Sequence, residues 1–464
     1  MSTDLKTPIS MEPGQGILYQ GREEVRALQH RLVHRTLRIA RTAHPFYSRV
    51  MAEAGIEDGD IDGLETLARL PVTYKTMFLE DPEAFRLGPH PDLTTEEIAL
   101  REIMYTTGTT TGVPAPIYTT TSDFYTYMIH AARCSEMLGI TKDDRIANVF
   151  PMTPYPMGAY VRAAATAAAT GCTVMNTHTG QGNDIWPVHQ RLDDAIRMIE
   201  PHRSTGLWGI SGFVRRLLIR AAEIGADLSA LRMSLVTGEA TTPAMKADMV
   251  RLMAEVGSKE CLVLNRYGST EASSMIQCED DFEAGWHNPS PDMTFLETVH
   301  PDTHEPTAPG EPGLLLITHL SRRGTMLLRY AVGDIVTLDW NPCTRCGRTS
   351  ERIVSQPLRT KEIIKIKGTL VNVAALSEAL DAMPEVIEHQ VILEKPSDDP
   401  LGSDVIRVRV AARGEADIAD RVKDAVRKVS QITPTVEMVE ANDIFDPERG
   451  GKRSRLVDLR PSVA

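Results

Sequence analysis

Aromatic side chains are scarce, at 5% of residues, and cysteine occurs only six times in 464 positions. So few cysteines in so long a chain exclude a disulfide scaffold of the kind small secreted domains use in place of a large core. Long apolar runs are missing too. The small-residue stretch Arg162–Val174 (RAAATAAATGCTV) is too short and too weakly apolar to span a bilayer. The N-terminal MSTDLKTPIS has no basic region leading into an apolar run, so no secretory leader is expected. Positive charge is in deficit: 50 Lys and Arg stand against 63 Asp and Glu, a formal net charge of -13. Such a surface repels nucleic acid and anionic membrane, which excludes both as expected partners. No internal repeat or low-complexity tract is present. A reducing cytoplasm is the expected compartment.

What is present is a chain too long for one ordinary core, so at least two domains are expected. Val25, Leu28, Leu32 and Ile39 recur at helical spacing, which predicts an amphipathic surface helix over 22–41. From about 100 to 340, helical patterns alternate with short apolar runs such as Ile146–Phe150 and Ser234–Thr237, the mark of α/β layering. Near 357 the periodicity changes. Ile363, Ile364 and Ile366 read as a strand, VAALSEALDAM as a helix, and HQVILEK as a strand. Ile406, Val408 and Val410 alternate with Arg407 and Arg409; a helix around 417–429 and the strand TVEMVE follow. This is a small α+β unit joined through Pro357 and the charged LRTKE. The expected domains are therefore 1–357 and 358–464.

Four segments carry chemistry. Tyr105–Pro114 (YTTGTTTGVP) is rich in glycine and threonine, whose exposed N–H groups and hydroxyls can cradle a phosphate. It lacks the Gly-Lys pair of a GxxxxGK[ST] loop, and a plain surface loop fits its composition equally well. Asn265–Glu271 (NRYGSTE) follows the apolar CLVL, at the end of a predicted strand where ligand sites gather in α/β sheets. There an aromatic face can stack on a base, a hydroxyl can hold a phosphate and a carboxylate can hold magnesium; a tight turn with a capping threonine is the plainer alternative. In Tyr330–Asp334 (YAVGD) the aspartate can accept both hydroxyls of a ribose, or simply form a turn. Arg449–Arg455 (RGGKRSR) sets Lys452 on a glycine-rich loop, from which it can neutralise developing negative charge; a solvated basic tail is the alternative.

In order and spacing these segments resemble the adenylate-forming superfamily of acyl-CoA ligases, peptide-synthetase adenylation domains and luciferases. The phenylacetate–coenzyme A ligase branch is the nearest likeness. The resemblance runs from HPFYSRVMAEAGI and LETLARLPVTYKTMF through TTGTTTGVP, TGEA, NRYGSTE, YAVGD, CGRT and LRTKEIIKIKG to GGKRSRLVDLR. It implies a large N-terminal domain of layered α/β subdomains and a small mobile C-terminal α+β domain. By the same resemblance Thr106, Thr107, Gly108, Thr109 and Thr110 form the phosphate loop. Gly238, Glu239 and Ala240 form the strip beside adenine, and Tyr267 with Gly268 packs on adenine and the acyl group. Thr270 binds the α-phosphate, Glu271 the magnesium, and Asp334 the ribose, with Arg359 nearby. Lys361 is the hinge and Lys452 the lysine of adenylation. The loop departs from the family by one extra threonine, and KGTLVNV by one extra residue.

The implied activity uses ATP and magnesium to convert a small carboxylic acid to its acyl-AMP, and coenzyme A to take the acyl group as a thioester. Phe150, Tyr155, Trp208 and Gly209 fall where the family builds its acid pocket, and the rings of Phe150, Tyr155 and Trp208 suit an aryl or arylalkyl acid; a core role for Phe150 fits equally. Transfer to an amine, a carrier-protein thiol or another acceptor is the alternative enzymatic reading. A silent nucleotide-binding regulator is a third, against which Glu271, Asp334 and Lys452 all stand. Separately, Cys343 and Cys346 form a CxxC, and Cys278 and His287 lie upstream. Three thiolates and one imidazole make a closed tetrahedral set for structural zinc; a simple turn is the alternative. A monomer and a homodimer fit the sequence equally.

Overall fold

The computed structural model describes residues 16–106, 114–152, 158–180, 190–272, 274–278, 285–359, 363–366, 369–395, 404–414, 418–448 and 455–460. The chain divides into two compact units. The first comprises Met1–Ile146, Tyr155–Val174 and Leu264–Pro357; the second comprises Ala147–Pro154, Met175–Val263 and Leu358–Ala464.

In the first unit the helix Arg22–Ala43 covers the core, but not with the face the leucines suggest. Val25, Gln29, Val33, Thr36, Leu37, Ile39, Ala40 and Ala43 are the buried positions, so Val25 and Ile39 of the expected stripe are buried while Leu28 and Leu32 are only half-buried. Two polar residues can occupy that stripe because each finds a carbonyl. Gln29 Nε2 donates to Pro291 O at 3.0 Å and Thr36 Oγ1 to Leu320 O at 3.1 Å. Beneath the helix, Val33, Leu37, Tyr47, Phe78 and Phe85 pack with Trp286, Leu315, Ile317 and Leu328 in one apolar cluster. The sheet of this unit runs in the order Thr294–Val299, Pro312–His319, Tyr330–Asp339, Arg352–Ile353, Trp286–His287, Met275–Gln277 and Leu262–Tyr267, with antiparallel neighbours.

In the second unit the strands Gly206–Ile210 and Met233–Thr237 pair in parallel, Gly209 opposite Val236. Every residue of GLWGI is buried, as expected of a strand covered on both faces. The C-terminal part is a sheet ordered Thr435–Met438, Val405–Ala412, Val386–Glu394, Leu456–Asp458, with the helices Val373–Asp381 and Ala419–Ser430. Ile406, Val408 and Val410 are each 0% exposed. Between them Arg407 turns outward and pairs with Glu394 at 3.0 Å, so the alternation read in the sequence is the alternation of the sheet. Complete burial of each such side chain stabilises by about 1.5–3 kcal/mol. Among the described residues no helix is long and apolar enough to cross a membrane.

Candidate functional site

In the first unit the strand Leu262–Tyr267 ends in the NRYGSTE turn. Val263, Leu264 and Asn265 are buried and fix the strand, leaving Tyr267 half-buried at its end. The Tyr267 hydroxyl donates to Asp334 Oδ2 at 2.6 Å, so two residues 67 positions apart are joined by one hydrogen bond. Asp334 is buried and follows Gly333, whose φ of +91° suits glycine and falls where the strand Tyr330–Asp339 breaks register with its neighbour.

Glu271 is 4% exposed, and its carboxylate accepts from Lys75 Nζ at 3.0 Å. Burial pushes this carboxyl up, but the Lys75 charge and hydrogen bonds, including one from Ser269, outweigh it and hold the group below the usual range. The backbone of the turn is fixed from behind. His319 Nε2 donates to Glu271 O at 2.8 Å while Leu327 N donates to His319 Nδ1 at 3.1 Å, so both ring nitrogens are engaged. Burial pushes His319 down to about 3, which makes it a neutral strut. Arg322 Nη1 donates to the carbonyls of Thr270 and Glu271 at 3.2 and 2.9 Å. Thr270 itself is half-buried, with its Cγ2 3.2 Å from where a Cβ on Gly158 would lie, so glycine at 158 leaves it room. Thr106 is buried and pairs with Ala115 twice, through the backbone and through its Oγ1, each at 3.0 Å.

Lys75, His319 and Arg322 are absent from the expectations drawn from sequence. Lys75 lies inside LARLPVTYKTMF, where a lone lysine at the start of a helix carries no signal of its partner 196 positions away. The pair gives a pH prediction. Because the folded Glu271 carboxyl lies below its unfolded value, its contribution to stability is present above the ordinary carboxylate range and is lost as pH falls through the folded value. Lys75→Met leaves burial unopposed by that charge. It is expected to destabilise by roughly 1–3 kcal/mol at neutral pH, less than a fully buried pair because Lys75 is partly exposed. The acid limb of thermal unfolding should move to higher pH, and melting scans from pH 3 to 8 check both.

In the second unit the Gly238–Ala240 strip leaves the carboxyl end of the parallel strand Met233–Thr237, the usual location for ligands in such sheets. Gly238 has φ +87°, and Glu239 Oε2 accepts from Gly212 N at 3.2 Å. On the neighbouring strand Trp208 is 1% exposed and Gly209 has no room for a side chain, since a Cβ would lie 2.7 Å from Val149 Cγ2. Phe150 is buried in the segment whose Val149 N donates to Trp208 O at 2.8 Å. Arg359 lies exposed on the short strand Leu358–Arg359. Thr107, Gly108, Thr109, Thr110, Tyr155, Lys361 and Lys452 lie outside the described residues.

A separate cluster in the first unit brings Cys278, His287, Cys343 and Cys346 together, their ligand atoms all within 4.8 Å of one another. Cys278 Sγ and Cys343 Sγ are 4.0 Å apart, and Cys346 Sγ is 3.6 Å from His287 Nε2. Tetrahedral zinc at its usual bond to sulfur sets sulfurs about 3.8 Å apart, so the donor set fits that ion. The 343–346 turn closes through Gly347 N donating to Cys343 O at 2.8 Å, with Gly347 at φ +73°.

A profile of the AMP-binding enzyme family matches residues 25–321. The phenylacetate–coenzyme A ligase of Thermus thermophilus is 26% identical over 467 residues, covering 95% of this chain and 97% of its own. That of Aromatoleum evansii is 25% identical, covering 99% and 100%. The crystal structure of 2-hydroxyisobutyryl-CoA ligase in the postadenylation state with 2-HIB-AMP has the same fold, with a TM-score of 0.79 at 20% identity, covering 98% of this chain and 95% of that one.

Proposed function

The chain belongs to the AMP-binding enzyme family, and on that premise we propose that it activates a small aryl or arylalkyl carboxylic acid with ATP and passes the acyl group to coenzyme A. It is an AMP-forming acid–coenzyme A ligase, similar along nearly its whole length to curated phenylacetate–coenzyme A ligases. The observation that carries the reading is the NRYGSTE turn: Tyr267 is bonded to Asp334, and Glu271 is a buried, ionised carboxylate already facing a cation.

A carboxylate is a poor electrophile because its own charge repels nucleophiles. Attack of one carboxylate oxygen on the α-phosphorus of ATP forms a carbon–oxygen–phosphorus anhydride and breaks the bond to pyrophosphate, which leaves with the electron pair. The coenzyme A thiol, as thiolate, then attacks the acyl carbon, and AMP leaves. The chain's task is to align reactants and offset phosphate charge. Tyr267 offers a ring face to adenine, Asp334 accepts from the ribose hydroxyls, and Thr270 donates to the α-phosphate. Glu271 would hold magnesium, which when bound shields the phosphates. Lys452 supplies the mobile positive charge. Phe150, Trp208 and Gly209 border the acid, and Trp208 and Phe150 favour an aromatic one. Lys361 is the hinge between the two half-reactions. Cys278, His287, Cys343 and Cys346 hold a structural zinc. Cysteines spent as metal ligands rather than in disulfides suit a reducing cytoplasm.

A panel of benzoates, phenylacetates, dicarboxylates and short fatty acids, each assayed for pyrophosphate and AMP release with and without coenzyme A, tests the reading. Aryl or arylalkyl acids should give the highest pyrophosphate release, and coenzyme A should accelerate AMP release. Preference for aliphatic acids would overturn the aromatic assignment. AMP release indifferent to coenzyme A would move the acceptor to an amine or a carrier thiol.

A further inference from the structure

Within the second unit a single carboxylate ties together three distant stretches of chain. Asp381, the last residue of the helix Val373–Asp381, accepts both terminal nitrogens of Arg455, at 2.7 and 2.9 Å. It also accepts from Thr242 Oγ1 at 2.8 Å. Thr242 caps the helix Pro243–Glu255, its Oγ1 accepting from Met245 N at 3.1 Å, and stands two residues beyond the Gly238–Ala240 strip. The ion pair is withdrawn from water, with side-chain exposures of 12% for Arg455 and 8% for Asp381. A second fastening lies alongside. Arg215, buried on the helix Ser211–Glu223, donates to the carbonyls of Val386 and Ile387 and holds Asp248 through Nε at 2.7 Å.

We propose that Asp381 is a positioning residue for the adenylate-forming half-reaction: it clamps Arg455 against the end of the nucleotide strip, and the clamp must release for the thioester-forming half-reaction. The inference rests on the reading of Lys452 as the adenylation lysine. Three peptide bonds separate that lysine from Arg455, so its α-carbon can lie no farther than about 11 Å from that of the clamped residue. Pinning Arg455 therefore restricts the range of the lysine before any substrate is bound, which is preorganisation. The ion pair suits a two-position device. Broken in place, it would separate two opposite charges inside the protein, beside His389 Nδ1 3.6 Å from Asp381, so Arg455 holds firmly; carried out into water together, both charges are hydrated.

The test uses the full-length protein as Asp381→Asn, which keeps the side-chain shape and removes the charge. Acid-dependent ATP–pyrophosphate exchange should fall at least tenfold in kcat with little change in KM for the acid. Thioester formation from synthetic acyl-AMP and coenzyme A should stay within twofold of wild type or rise. Arg455→Gln should give the same split, and it decides the matter if Asp381→Asn does not fold. Equal loss in both half-reactions would make the clamp merely structural and overturn the proposal. Lys452→Ala, run beside them, separates the two ideas. Wild-type exchange in Lys452→Ala overturns the reading of the lysine, whereas wild-type exchange in Asp381→Asn beside an inactive Lys452→Ala overturns the clamp alone.

Discussion

Lys452→Ala is expected to lower acid-dependent ATP–pyrophosphate exchange by roughly two to three orders of magnitude, the effect of deleting one preorganised donor worth about 3–4 kcal/mol in the transition state. The reason is where charge accumulates. As the acid oxygen approaches the α-phosphorus and pyrophosphate departs, negative charge gathers on the bridging and non-bridging oxygens. A cation that meets this charge only in the transition state raises kcat without tightening the ground state. The loss should therefore appear in kcat, and the KM for ATP should change by less than a few-fold. Thioester formation from preformed acyl-AMP should be largely preserved, because that step breaks no bond to pyrophosphate. Substitution by arginine should restore little, since a planar guanidinium does not replace a compact ammonium on a short glycine loop. Exchange and single-turnover assays on the purified variant check all three, and near wild-type exchange would remove Lys452 from the mechanism.

The second large effect concerns the metal. Protein purified without chelator is expected to carry one equivalent of zinc, and Cys343→Ser should lose it and lower the melting temperature by roughly 10 °C, corresponding to about 3 kcal/mol or slightly more in a unit of this size. Cys343 is 2% exposed, so a hydroxyl there would leave the other two thiols and His287 facing one another in a closed space. Without the ion nothing holds these donor groups together, and the cheapest relief is to open the segment. The cluster joins the end of the strand Met275–Gln277, the strand Trp286–His287 and the 343–346 turn. The first of these strands pairs with the Tyr267 end of Leu262–Tyr267 and the second pairs with the first, so the cluster lies one to two strands from the nucleotide turn. Loss of metal should accordingly lower adenylation several-fold through loosening rather than abolish it. Metal analysis and melting scans are read independently of activity, and substoichiometric zinc in untreated protein would dispose of the site.

Much of the C-terminal part could be read in advance because its side chains obey a period of two. Ile406, Val408 and Val410 point one way and Arg407 and Arg409 the other, and a strand has no other means of hiding three β-branched residues. The helix Arg22–Ala43 was legible as a helix but only in part in its buried face, where Val25 and Ile39 lie as the spacing predicts. Leucine spacing points to Leu28 and Leu32, yet the stripe that packs runs through Gln29 and Thr36. Those two are admitted by the carbonyls of Pro291 and Leu320, which local sequence does not reveal.

The sequence by itself determined the ordered set of glycine, threonine and acidic motifs that marks the family, the change of periodicity near Pro357, and the residues that can ligate zinc. The motifs and the periodicity are written in near neighbours, since turns, strands and short loops are set by the chemistry of adjacent residues, and the zinc set is legible by residue type, although Cys278 and Cys343 stand 65 positions apart. Only the tertiary structure decided that Lys75 faces Glu271, that Tyr267 holds Asp334, and that Asp381 gathers Arg455 and Thr242. These partners lie 67 to 196 positions apart, and a charge on a chain carries no mark of which distant charge the packing will bring to it.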